Sequence, residues 1–157
     1  MKRILLWFSM MAACGTNGKE LDDVVAVPST PETLVVEVGT GEFDFQELAP
    51  GDPVRLVYGA QGGYHMWTAI RVHDAALRDV RVNLSSRFED GTPGGKASGV
   101  AVPLVVGPGA TASATGLRNF IDDAVAARNK KLVLRVEVVA EDQRHGSAEK
   151  LVTVVAK

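Results

Sequence analysis

The sequence predicts an all-β fold, an antiparallel sandwich of about seven to nine strands with at most one short helix near residues 121–129. Two observations support this prediction. Apolar and polar residues alternate with period two in several short runs, and clusters of glycine and proline separate those runs. Because successive side chains of a strand point to opposite faces of a sheet, each run fits a strand with one buried face.

The clearest alternating run covers residues 80–88. Its apolar side chains, Val80, Val82, Leu84 and Phe88, share one face, and the polar side chains between them share the other. The same pattern predicts further strands in segments 34–38, 43–45, 54–58, 66–72, 100–106, 132–138 and 151–155. The last of these segments is apolar on both faces, which suits a covered strand or the final strand of the chain.

Turn-forming residues fall between these runs. Glycine reaches positive φ without steric cost, and proline presets φ at the first turn position. Such residues occur in segments 39–41, 50–53, 59–63, 90–95 and 107–109. Segment 121–129 is the one candidate helix, because Asp122 and Asp123 stand near its start and Arg128 near its end, as the helix dipole favours. The segment is short, and a structured loop is the alternative.

The start of the chain has the pattern of an export signal. Lys2 and Arg3 precede an apolar run over residues 4–11, and small residues then lead to Cys14, the single cysteine of the chain. A secretory signal has a positive start, an apolar middle of roughly 7–15 residues and small residues at the cleavage site. The run is too short to span a bilayer, which takes about 20 residues.

Residues 11–15 resemble the lipobox of bacterial lipoproteins, in which small residues precede an invariant cysteine. The resemblance implies that residues 1–13 are removed as a signal peptide and that the thiol of Cys14 carries a diacylglyceryl group. More than one acyl chain holds a protein stably on a membrane. Leucine is usual where this chain has Met11, a mild departure because the position accepts an apolar side chain.

The resemblance also implies a location in the bacterial cell envelope, with the membrane as partner through the lipid on Cys14. Aspartate after the lipidated cysteine marks inner-membrane retention in lipoprotein sorting, so Gly15 favours the outer membrane over the inner one. Secretion without a lipid fits less well, because ordinary signal cleavage prefers a small residue where Met11 stands.

The rest of the chain divides into a tether and one domain. Residues 14–31 are mostly small, polar or proline, which predicts a flexible tether. Residues 32–157 have the length of one β-sandwich domain, which buries enough apolar surface to fold without crosslinks. With Cys14 acylated, the chain holds no thiol for a disulfide.

The charge balance argues against nucleic acid as a partner. Without Lys2 and Arg3 the mature chain has 15 basic and 19 acidic residues, a net charge of −4. Its basic residues cluster only around residues 129–131. A protein that neutralises phosphates needs a cationic face.

The end of the chain predicts a β-hairpin. Two valine-rich segments, 131–140 and 148–156, flank a polar turn over residues 141–147. This hairpin resembles the last two strands of immunoglobulin-like domains in bacterial surface proteins, which implies an immunoglobulin-like sandwich with Trp67 on a central strand. The disulfide that accompanies such a tryptophan in antibody domains has no counterpart here.

The segment at residues 61–67 is the most distinctive of the body, and the chain resembles exported bacterial lipoproteins that carry a Gln-Gly-Gly-aromatic-His segment. The candidate binding residues are Gly62, Gly63, Tyr64, His65 and Trp67. One interpretation is a ligand or partner site at one end of the sandwich, since tyrosine and tryptophan combine an apolar body with a polar group. The other is a glycine turn before a central strand whose aromatic rings fill the core.

Strand periodicity divides this segment into two faces. Met66, Thr68, Ile70 and Val72 share one face, which we expect to meet the core. Trp67 then lies with His65, Ala69, Arg71 and His73 on the outer face, where no charged group has to be buried.

These observations favour a non-enzymatic binding or structural role, with another envelope protein as the expected partner. The alternative is a small-molecule or metal-binding module that uses residues 62–67. No catalytic residue is predicted, because the chain has no Gly-x-Ser-x-Gly nucleophile turn. No metal or other cofactor is predicted either: His65 and His73 stand about 26 Å apart on one strand and cannot share an ion.

Overall fold

Nine β-strands and one short helix make up the computed structural model, which describes residues 33–60 and 62–155. The elements are β1 (Val36–Gly39), β2 (Asp52–Tyr58), β3 (Tyr64–Val72), β4 (Asp79–Phe88), β5 (Pro93–Pro103), β6 (Val105–Val106), β7 (Ala112–Ile121), α1 (Ala124–Ala127), β8 (Lys131–Ala140) and β9 (His145–Val155). The predicted all-β class and the number of strands are confirmed. The predicted signal peptide and tether, residues 1–13 and 14–31, lie outside the described residues.

The strands form one hydrogen-bonded path that folds into two layers. The order along the path is β5-β4-β8-β9-β2-β3-β7-β6, and β1 pairs with β3. Strand β2 belongs to both layers, because residues 52–55 pair with β9 and residues 56–58 pair with β3. The β2–β9 ladder is parallel, unlike the other ladders between the described strands, so the sandwich departs here from the predicted antiparallel pairing.

The apolar positions of the period-two pattern fill the space between the layers. On β3, the predicted inner face of Met66, Thr68, Ile70 and Val72 is fully buried. The facing layer contributes Val80, Val82, Leu84, Leu132, Leu134, Val136 and Val138. Each fully buried aliphatic side chain stabilises the fold by about 1.5–3 kcal/mol, so this alternation is the main source of stability.

The predicted terminal hairpin is confirmed as β8 and β9, with a shorter turn than expected. The second strand begins at His145, and Val139 pairs with His145 across the turn. The turn is therefore four residues long, 141–144, and Gln143 adopts a φ of 69° within it.

The predicted helix over residues 121–129 is correct in place but too long. Only Ala124–Ala127 are helical, because Ile121 ends strand β7 with its side chain in the core. The carboxylate of Asp123 caps the helix and accepts hydrogen bonds from the backbone N–H groups of Val125 and Ala126.

Two predicted strands are wrong in detail. Residues 43–45 form a loop that crosses the outer face, where the Phe45 ring lies 3.9 Å from the guanidinium carbon of Arg71. Residues 100–106 form two strands, because the chain leaves β5 after Pro103 and joins the other layer as β6.

The predicted turn over residues 90–95 is also too long, since β5 begins at Pro93. Gly94 and Gly95 let β5 approach β7 and close that end of the sandwich. The N–H of Asp122 donates to the carbonyl of Gly94 at 2.9 Å. A Cβ at Gly95 would lie 1.9 Å from the carbonyl oxygen of Phe120, so only glycine fits.

We expect Gly95→Ala to lower the free energy of unfolding by about 3 kcal/mol, because the new methyl group pushes β5 away from β7. Gly91→Ala is the matched control: its φ is also positive, but nothing lies within 4 Å of the new Cβ. Gly91→Ala should lower the free energy of unfolding by about 1 kcal/mol. Urea denaturation measures both values, and equal losses would contradict the close approach.

Candidate functional site

A tight turn between β2 and β3 places the candidate segment. Gly62 and Gly63 have φ values of 87° and 82°, which glycine adopts far more readily than other residues. The N–H of Gly59 donates to the carbonyl of Gly63 at 3.0 Å, and the N–H of Gly62 donates to the carbonyl of Gly59 at 2.9 Å. This turn delivers Tyr64 as the first residue of β3.

His65 and Trp67 lie on the outer face of β3, as the strand pattern predicted. The two rings meet edge to face with centroids 4.6 Å apart, and the ring of Phe120 lies 6.2 Å from that of His65. His65 is only 3% exposed, whereas Trp67 is half-buried. The Nε2 atom of His65 has no hydrogen-bond partner among the described residues.

This environment keeps His65 neutral near pH 7. Burial lowers the pKa of its imidazole below the usual 6.5. The positive charge of Arg118 lowers the pKa further, while the carboxylate of Glu42 acts in the opposite direction.

Trp67 borders a groove of about 690 Å³, which we call the aromatic groove. Residues 53–58 of β2 form one wall of this groove, and the loop after β1 forms another with Thr40, Gly41, Glu42 and Gln46. Tyr64, Trp67 and Arg128 complete the lining. Tyr58 and Tyr64 stack edge to face with centroids 5.1 Å apart, and Tyr58 is 66% exposed. The groove is therefore lined by aromatic rings that solvent reaches.

Three arginines give the aromatic groove a positive surface. The guanidinium carbon of Arg118 lies 5.7 Å from the centre of the Trp67 ring, within range of a cation–π interaction. Arg55 and Arg128 line the groove itself, with Glu42 as the one lining acid among the described residues. None of the three arginines forms an ion pair with a described carboxylate. Other arginines of the same domain do form such pairs, namely Arg71, Arg87, Arg135 and Arg144.

The structure separates the five candidate residues predicted from the sequence. Tyr64 and Trp67 line the groove, and His65 lies buried behind Trp67. Gly62 and Gly63 are exposed in the adjacent turn. Sequence reasoning missed Tyr58, although its position opposite Tyr64 follows from a hairpin centred on the 59–63 turn.

No comparable pattern in the sequence indicated the three arginines near the groove. Arg55, Arg118 and Arg128 come from β2, from β7 and from the residue after α1. Only the register of β3 against β7 brings Arg118 opposite Trp67.

The described residues contain no group of three or more histidine, cysteine, aspartate or glutamate side chains placed to bind a metal ion. His73 lies at the far end of β3 and pairs with the carboxylate of Glu37, and His145 begins β9. Among the described residues, no helix has the length and apolar character that crossing a membrane requires.

Comparison with solved structures gives matches at the level of the fold. No protein-family model matches the chain, and no curated protein matches it. The described fold is similar to the CooA pilin subunit from enterotoxigenic Escherichia coli, with a TM-score of 0.31 and 13% sequence identity. The match covers 76% of this chain and 97% of the pilin chain. A likeness at this level does not extend to function.

We expect the protein to lose stability as the pH falls below about 6.5, because His65 protonates in the unfolded chain before it does so in the folded one. The loss ends when the pH passes the lowered pKa of the folded state. Glu37, Asp74 and Asp142 also have lowered pKa values, but their contribution is lost only below about pH 4.5.

His65→Gln should therefore reduce the fall in Tm between about pH 7.5 and pH 5.5, since glutamine does not titrate in this range. His145→Gln is the matched control, because His145 is exposed. Thermal unfolding at the two pH values measures the effect. A His65→Gln protein with the same fall as the wild type would contradict the assignment.

Proposed function

We propose that this chain is a lipid-anchored protein of the bacterial cell envelope with a non-catalytic role. Its sandwich domain binds another envelope protein through the aromatic groove beside Trp67. The observation that carries the proposal is the concentration of tryptophan, tyrosine and arginine around one groove. Truncation of these residue types causes the largest losses of affinity at protein interfaces.

The leader supports the anchoring half of the proposal. Residues 1–13 have the charge and apolar pattern of an export signal, and Cys14 stands where bacterial lipoproteins are acylated. A tether of the composition of residues 14–31 lets the domain reach a partner while the lipid stays in its bilayer. Gly15 favours the outer membrane as that bilayer.

The charges of the aromatic groove support a partner with acidic residues. Arg118 lies beside Trp67, and Arg55 and Arg128 line the groove, all three without carboxylate partners among the described residues. The net charge of the chain is nevertheless negative. A carboxylate of a partner would form charge-assisted hydrogen bonds with these guanidinium groups. Such a contact also accelerates association at low salt.

A small molecule is the second candidate occupant of the same groove. The volume of the groove, about 690 Å³, is typical of ligand pockets. Such pockets bury most of their ligand, whereas the rim residue Tyr58 is 66% exposed. An open groove of this kind suits a protein surface better than an enclosed ligand.

We expect the mature N-terminal peptide to begin at Cys14 and to carry acyl chains. Mass spectrometry of the N-terminal peptide from purified native protein tests this directly. Cys14→Ser should abolish both the acyl mass and the cleavage before residue 14. Native protein with an unmodified cysteine would contradict the anchoring proposal and leave the binding proposal intact.

We expect a photo-crosslinking residue at position 58 to capture a discrete partner in intact cells. Position 35 is the matched control, because Val35 is 63% exposed and lies near the opposite end of β3. Trp67→Ala in the same background should weaken the interaction by roughly 30-fold, which corresponds to a loss of about 2 kcal/mol.

The same crosslinked product from both positions, or from position 58 with and without Trp67→Ala, would contradict the groove as the binding site. Circular dichroism of the Trp67→Ala protein separates a lost contact from a lost fold. Val35→Ala serves as the control for a substitution on an exposed surface.

A further inference from the structure

Three of the four acidic residues between residues 1 and 32 fall in one short segment of the predicted tether. Residues 20–27 read Glu-Leu-Asp-Asp-Val-Val-Ala-Val, so carboxylates fill three of the first four positions and valines three of the last four. The rest of the tether, residues 14–19 and 28–31, consists of small, polar or proline residues with Lys19 as its single charge. We call residues 20–27 the acidic segment.

The aromatic groove has the charge and the apolar surface that this segment lacks. Arg55 and Arg128 line the groove and Arg118 lies beside Trp67, and none of these arginines forms an ion pair with a described carboxylate. Glu42 is the one acid among the described lining residues, so positive charge remains in excess. The three carboxylates of the acidic segment would offset this excess through charge-assisted hydrogen bonds, and its valines would cover the exposed aromatic rings.

The path of the chain before β1 brings the acidic segment within reach of the groove. The carbonyl of Val35 accepts a hydrogen bond from the N–H of His73 at 3.0 Å, so the chain runs beside the end of β3 before β1 begins. Trp67 and Tyr64 lie six and nine residues from His73, which is about 20 and 30 Å along a strand. Asp23 precedes the first described residue, 33, by ten residues, which span up to about 33 Å.

We propose that the acidic segment binds the aromatic groove of its own domain and occupies it until a partner displaces it. The inference rests on the proposed function, since segment and partner would use the same arginines and rings. It explains why three arginines stay without carboxylate partners among the described residues of a chain whose net charge is negative.

A weak contact is sufficient for this role, because the segment and the groove belong to one chain. A short flexible linker holds a bound segment at an effective concentration in the millimolar range. A segment with a dissociation constant of about 1 mM therefore fills the groove for roughly half of the time or more. A partner of micromolar affinity still displaces it.

Photo-crosslinking within the isolated native chain tests the proposal. The protein with the crosslinking residue at position 58 is purified in detergent and irradiated at low concentration. We expect mass spectrometry to map a crosslink from position 58 to residues 20–27. Glu20→Gln with Asp22→Asn and Asp23→Asn should lower its yield roughly fivefold, because the charge-assisted contacts are lost.

The matched control for charge is Asp79→Asn with Glu89→Gln and Glu141→Gln. This variant removes the same charge from three exposed positions on the other layer of the sandwich, and the yield should not change. The control for position is 105, because Val105 is 71% exposed and β6 lies at the end of the domain where the tether enters. A crosslink from position 105 to the acidic segment should be rare.

Trp67 provides a second measurement without a crosslinker. It is the single tryptophan that remains once the predicted leader, with Trp7, is removed. Neutralising the acidic segment should uncover its ring and roughly double the quenching of its fluorescence by acrylamide. The charge control should leave the quenching unchanged.

Crosslinks from position 58 that never include residues 20–27 would overturn the proposal, and so would equal yields from positions 58 and 105. Products between two copies in place of products within one chain would overturn it too. None of these results affects the capture of a partner from position 58 in intact cells, which tests the proposed function. A crosslink to the acidic segment with no partner captured in cells would support this inference and contradict the proposed function.

Discussion

The pairing of β2 with both layers is the constraint on which the rest of the molecule depends. Its first half pairs with β9 and its second half with β3, so one strand closes this side of the sandwich. The pairing of β2 with β3 stops at Leu56, opposite Met66. Further along the same edge of β3, β1 is the partner, with Gly39 opposite Ala69. The hydroxyl of Thr40 bridges the gap by donating to the carbonyl of Trp67 at 2.7 Å. The aromatic groove lies where the two strands part, and the strand crossover is therefore the physical origin of the candidate site.

The two long sides of the sandwich are closed by different means, which explains their different surfaces. On the β1–β2 side, backbone hydrogen bonds run across the seam, including one from Leu34 to the carbonyl of His145 at 2.8 Å. On the other side, the layers meet through the Gly94–Asp122 contact at one end, and a groove separates β5 from β7 beyond it. Between the layers, the amide of Asn119 on β7 donates to the carbonyl of Ser85 on β4 at 3.4 Å. An incompletely closed side leaves core residues within reach of a partner.

Strand periodicity predicted much of the fold because burial follows the pattern directly. The inner face of β3, the β8–β9 hairpin and the strand at 80–88 depend on alternating large apolar residues, and each is found where expected. Strand β7 was missed, since its first inner positions are the small residues Ala112 and Ala114 and a bulge near Gly116 shifts the pattern. The outer-face position of Trp67 was predictable from β3 alone. The arginines near Trp67 could not be predicted, because only the register of β7 against β3 and the end of α1 place them beside the groove.

The β2–β9 ladder joins residues a hundred positions apart, with Asp52 opposite Val152 and the hydroxyl of Thr153 donating to the carbonyl of Gly51 at 2.9 Å. Contacts between such distant segments form late, since a long loop must close first. A chain synthesised from its amino end leaves this seam open until β9 has been made. Until then the apolar faces of β2 and β3 are uncovered, which makes the growing chain a substrate for chaperones and proteases.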